Sequence, residues 1–144
     1  MIAASFGIAL LLPLEPQATT QQPAPLPGEV REWLERDQAQ RWATLVDTGR
    51  QLFNEGSCAR CHGDNGVGGN FGPDLTDDQW VQSEGDLDGI QETILWGVRR
   101  RDFGDPPRRF EMNPAGGMQL EWDEIRALAA YVWSLGDGRT QARR

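Results

Sequence analysis

The sequence predicts an all-α fold of three to five helices gathered around a cofactor. Three observations carry that expectation. Apolar residues recur at helical spacing in several separate stretches, and no run alternates convincingly with the period of a strand. The 17 Gly and 9 Pro imply many loops, which a chain of 38% hydrophobic residues can support if a large apolar body fills its core. The third observation is Cys58-Ala59-Arg60-Cys61-His62, which holds both cysteines and the only histidine of the chain.

In chain order, residues 1–14 read as an apolar anchor or signal-like segment, with Ile2, Phe6, Ile8, Leu10, Leu11, Leu12 and Leu14. As a helix, Ile2 to Leu14 reaches about 20 Å, short of a hydrocarbon core of about 30 Å. No Lys or Arg precedes the run, which is a poor start for a signal peptide. A retained anchor is therefore the first reading and a cleaved signal the second. Residues 15–28 form a Pro-rich linker through Pro16, Pro23, Pro25 and Pro27, a composition that favours extended backbone.

Residues 29–46 read as an additional N-terminal helix, with Val30, Trp33 and Leu34 at helical spacing. Trp42, Leu45, Val46, Gly49, Leu52 and Phe53 continue the pattern until Gly56. Asp37, Gln38 and Arg41 interrupt the apolar face, which allows either one helix or two. A Gly-rich loop spans Gly63 to Thr76. Ile90, Ile94, Leu95 and Val98 then mark a helix over Asp88 to Val98, and Arg99 to Gly117 is irregular. The most periodic element runs from Trp122 to Leu135, with Ile125, Leu128, Ala129 and Val132 on one face and Gly136 closing it. The main domain is thus expected over 47–136, followed by a polar tail at 137–144.

C-x-x-C-H is the pattern of covalent c-type haem attachment. Two thiols at that spacing reach the two vinyl groups on one porphyrin edge, and the next residue turns its imidazole toward the iron. A structural zinc site usually takes four Cys/His ligands, and Cys58, Cys61 and His62 are only three. A thioredoxin-like pair needs no following His and belongs near a βαβ pattern. A plain disulfide leaves His62 unexplained. With both thiols spent on haem no disulfide framework remains. The compartment is then the one where such attachment occurs, the bacterial periplasm or its equivalents.

The formal net charge of -8 argues against nucleic acid as a partner. Charge is also segregated: Asp74 to Glu92 carries seven carboxylates and no base, while Arg99 to Arg109 carries five Arg. These stretches are either two solvated faces or the poles of a molecule steered toward a charged redox partner.

From Asp47 to Leu135 the chain resembles class I monohaem cytochromes c. Four features match in order: Gly49-x-x-x-Phe53 before the haem motif, Gly72-Pro73-x-Leu75 after it, a Met in a Gly/Pro loop, and Leu128-Ala129-Ala130-Tyr131 in the last helix. The resemblance implies that the first and last helices cross, with Gly49 allowing close approach to Leu128 and Tyr131. It implies His62 as the fifth iron ligand, held by the Pro73 carbonyl, with Gly72 and Leu75 packing on the haem. The segment Met112-Asn113-Pro114-Ala115-Gly116-Gly117-Met118-Gln119-Leu120 is similar to a bacterial M-P-P-M-G-G-x-Q-L pattern. That similarity puts Met112 at the sixth ligand position, with Met118 as the alternative. Asn113 and Ala115 depart from the pattern. Trp80, Trp96, Trp122 and Trp133 are expected as haem-pocket or core aromatics.

The stretches Asp74 to Trp80 and Leu128 to Leu135 also resemble haem-c subunits of bacterial terminal oxidases, which are tethered to membrane complexes. The resemblance implies a non-catalytic, single-electron carrier with one haem c, closed by His62 and Met112. Its expected place is the periplasmic side of the bacterial inner membrane, anchored by the N-terminal segment. Its partners would be redox subunits of a respiratory or photosynthetic complex. A haem sensor with an open sixth site, and the redox module of a periplasmic dehydrogenase, are the alternatives.

Overall fold

A computed structural model of the chain describes residues 27–102 and 110–136. The expected anchor at 1–14, nearly all of the linker, the part of the Arg-rich loop at 103–109 and the tail at 137–144 lie outside the described residues. Four α-helices follow in order: α1 Gly28–Glu55, α2 Cys58–His62, α3 Leu87–Trp96 and α4 Trp122–Leu135. Among the described residues no strand forms, and the extended pairing is an isolated antiparallel bridge between Val98 and Met112.

Helix α1 runs unbroken through the polar interruption. Asp37 and Arg41 lie one turn apart and pair at 2.8 Å, and Glu32 and Arg36 do so at 3.9 Å. Such i,i+4 pairs add a few tenths of a kcal/mol each, and no Gly or Pro falls between Glu29 and Thr48. At 1.5 Å per residue α1 is about 42 Å long. Residues 28–44 are exposed except for half-buried Leu34 and Asp37, so its N-terminal half runs clear of the core. Among the described residues no helix is long and apolar enough to cross a membrane.

Helix α3 starts at Asp86, whose carboxylate accepts from the Gly89 N–H at 2.7 Å. It ends at Trp96, earlier than the periodicity suggests. Gly97 turns the chain at φ +66°, and Val98 is buried by the bridge to Met112 rather than by a helix face. Helix α4 opens with a capping box in which Glu121 and Glu124 each bond the other's backbone N–H. Its buried face supplies Ile125, Leu128, Ala129, Tyr131 and Val132 to a core shared with Phe53, Ile90 and Ile94.

The core is organised where α1 crosses α4. A Cβ at Gly49 would collide with the backbone carbonyl of Ala127 and stand 2.8 Å from the Tyr131 Cβ. Hydrogen at this position lets the two backbones touch. The nearest atoms belong to Ala127 and to Tyr131, the second of which the resemblance implied. Phe53 meets Tyr131 edge-on at 5.4 Å, one turn further along α1. Trp133 packs edge-on against Trp42 at 5.5 Å. Trp96 and Trp122 are surface residues, 73% and 53% exposed, and not the core aromatics expected of them.

Candidate cofactor site

Gly56 ends α1 and α2 begins two residues later, so the five motif residues form one short helix in contact with α1. Cys58 and Cys61 fall three residues apart and share a helical face. Cys58 is half-buried and Cys61 exposed. Burial pushes the Cys58 thiol up to about 11, because its thiolate would lose hydration there. A thioether bears no charge to desolvate, so a position hostile to a thiolate accepts a thioether readily.

His62 is half-buried, and its Nδ1 lies 3.0 Å from the carbonyl oxygen of Pro73. A carbonyl can only accept, so Nδ1 carries the proton and Nε2 the lone pair, the tautomer a metal-binding imidazole needs. The loop that brings Pro73 is built for close approach. Gly72 donates its N–H to the Cys61 carbonyl at 2.9 Å. A Cβ on Gly72 would stand 2.9 Å from both that oxygen and His62 Nδ1. Leu75 continues the loop by donating to the Gly66 carbonyl at 2.7 Å. Phe53 closes the inner side, its ring centroid 6.3 Å from that of His62.

Two clefts meet at these residues. One, partly open to solvent, lies between His62, Pro73, Leu75, Trp80, Ile90 and Val132. The other lies against Cys58, Cys61, Phe71, Gly72 and Phe110. His62, Pro73 and Met112 border both. Two thiols on one face, an imidazole with its lone pair on Nε2 and a largely apolar cavity fit a haem.

The two candidate methionines lie on different sides of the molecule's packing. Met112 is pinned by paired bonds with Val98, N–H to carbonyl in both directions at 2.8 and 2.9 Å. That pairing sets it on the wall shared by the clefts. Met118 points to a surface groove lined by Thr48, Gln51, Leu52, Glu55 and Gly56. Its sulfur lies 3.5 Å from the Ser57 N–H and would be 2.5 Å from a Cβ at Gly56. Met118 thus fills a gap at the end of α1.

Three contributors escape a reading of the sequence. Val98 anchors Met112, although its spacing mimics one more helical turn. Ser57 donates its hydroxyl to the Gly116 carbonyl at 2.8 Å and ties the Met loop to α2. Asn65, at φ +55°, accepts from Tyr131 Oη at 3.3 Å and pairs with Asn54, joining α4, the loop and α1. The Asp-Asn-Gly run at 64–66 was the available signal for that turn.

The cytochrome c family model matches residues 46–136. Among curated proteins the chain is similar to the cbb3-type cytochrome c oxidase subunit FixP of Sinorhizobium medicae. The two are 37% identical over 114 residues, which cover 79% of this chain and 37% of that subunit. Subunit FixPc of Rhizobium leguminosarum bv. viciae is 42% identical over 79 residues, 55% of this chain and 26% of the relative. Subunit CcoP of Rhodobacter capsulatus is 30% identical over 141 residues, 88% of this chain and 46% of the relative. The chain therefore spans less than half the length of these relatives. No solved structure matches it.

Proposed function

The chain belongs to the cytochrome c family, and from that premise we propose that it is a single-electron carrier of a cbb3-type respiratory oxidase. As a family member it carries haem c, attached through Cys58 and Cys61. When bound, the haem supplies an iron that cycles between ferrous and ferric, at a potential raised by a thioether ligand.

The chain's own residues have separable tasks. Cys58 and Cys61 would hold the haem, and His62, its ring fixed by the Pro73 carbonyl, would bind its iron through Nε2. Met112 is the sixth ligand in this reading, supported by the Val98 pairing that holds its backbone at the cleft wall. Leu75, Trp80, Ile90 and Val132 give that cleft apolar walls against which a haem would pack. Held by His62 and Met112, the haem would leave no site for a substrate, and the protein would move an electron without making or breaking bonds.

The similarity to oxidase subunits supports a place beside a membrane complex, on the periplasmic side where haem c is attached. The observation that carries the reading is the meeting of His62 and Met112 on one pair of clefts. Carbon monoxide tests it. The spectrum of the reduced protein should not change under carbon monoxide, because His62 and Met112 would leave it no iron site. A shifted Soret band would show an open sixth site and favour a gas-binding module.

A further inference from the structure

The N-terminal half of α1 has a task outside the haem fold. The cytochrome c match begins at residue 46, so Gly28 to Leu45 are not required by that fold. Yet a 114-residue match in a 144-residue chain must reach back to Arg31 or earlier. Part of the half-helix beyond the family domain is therefore common to this chain and an oxidase subunit.

This half carries an apolar face of its own. Val30 and Trp33 are 40% and 57% exposed, and on the helical wheel Val30 lies between Trp33 and Leu34. At about 100° per residue, the Val30–Trp33–Leu34 face is rotated roughly a third of a turn from the Gly49–Phe53 face that packs on α4. It cannot be the same seam prolonged. Around it, Glu29, Glu32, Glu35 and Asp37 alternate with Arg31, Arg36 and Arg41. A helix that lies on a membrane surface has a predominantly basic polar face; mixed charge with a Trp anchor suits a protein groove instead.

We propose that the Val30–Trp33–Leu34 face of α1 docks the domain onto another subunit of the oxidase, in an apolar groove bordered by charges of both signs. The inference rests on the oxidase reading above. It separates two surfaces: α1 holds the domain on the complex, and the haem end exchanges electrons.

The test is co-expression of the full holo chain, tagged, with the remaining subunits of a cbb3-type oxidase, followed by purification in moderate and in high salt. The wild-type chain should retain those subunits under both conditions, because the contact is mainly apolar. Val30→Ser with Trp33→Ser should lower retention about tenfold or more while leaving the haem spectrum unchanged. Trp96→Ser, which removes an exposed Trp elsewhere, should retain them fully. Retention by the double variant equal to wild type overturns the inference and leaves the oxidase reading intact. Loss of self-association in the double variant, or loss of binding to anionic lipid vesicles, with oxidase retention unchanged, also overturns it. Failure of the wild-type chain to retain the subunits overturns both.

Discussion

Three side chains in the haem loop show how a short polar contact fixes a long-lived geometry. The Pro73 carbonyl orients His62, and the next residue steadies the loop that carries it. Asp74 accepts from the Thr76 hydroxyl at 2.6 Å and from the Thr76 N–H at 2.7 Å. These bonds favour the ionised carboxylate and hold Asp74 below its ordinary 3.8. A lowered folded value means the contribution is present at neutral pH and is lost as pH falls below 3.8 through the folded value. Asp74→Ala should therefore melt below wild type at neutral pH, and the gap should close as the solution is acidified through that range. Melting curves across the acid range check this; a gap that widens on acidification contradicts it.

Among the helices, the crossing of α1 and α4 is the joint on which the cleft depends. Replacing Gly49 by Ala gains about 1 kcal/mol of helix propensity. It also drives a methyl group into the Ala127 carbonyl, and overpacking of that kind costs about 1–3 kcal/mol or more. The obstacle is backbone, which cannot turn aside, so the collision wins. Gly49→Ala should be destabilised, by about 2 kcal/mol net at the upper end of that cost, in denaturant titration. Gly28→Ala, where nothing stands within 4 Å, should be neutral or slightly stabilised. Equal effects at both positions would contradict the crossing as described.

The same scale shows what the sequence makes legible. The helix over Trp122–Leu135 is legible because its apolar period is unbroken, and the structure adds the Glu121–Glu124 capping box at its start. Gly136 closes it for another reason than expected. Its backbone is extended, and the missing side chain makes room for Trp80, 2.7 Å from where a Cβ would stand. Val98 reads as helix because one residue of bridge and one turn of helix look alike in hydropathy. Pro73 and Gly72 were legible only through family resemblance, since no periodicity marks a carbonyl that bonds a histidine. The contacts of Ser57 and Asn65 depend on tertiary closeness that local sequence does not encode.

Over the whole molecule, charge is arranged unevenly about the haem end. Among the described residues none of the seven carboxylates from Asp74 to Glu92 takes part in an ion pair. Asp74 and Asp77 stand at the cleft itself. Across the Arg-rich stretch, by contrast, Asp102 lies 2.8 Å from Arg99 and 3.8 Å from Arg101, which partly cancels them. Such unpaired carboxylates at the cleft would attract a basic partner. Electron transfer with a basic donor or acceptor should slow as ionic strength rises and the Debye length shrinks below about 10 Å. Stopped-flow rates that stay flat from low to high salt would remove steering from the account.

The central claim is that His62 and Met112 close the iron, with Met118 serving only as packing. The most direct measurement is the ferric absorption band near the red end of the spectrum, which reports a Met–iron bond, in holo Met112→Ala and Met118→Ala. The account predicts that the band disappears and the reduction potential falls in Met112→Ala, while Met118→Ala keeps both and loses only stability. A band that survives in Met112→Ala and vanishes in Met118→Ala would contradict it.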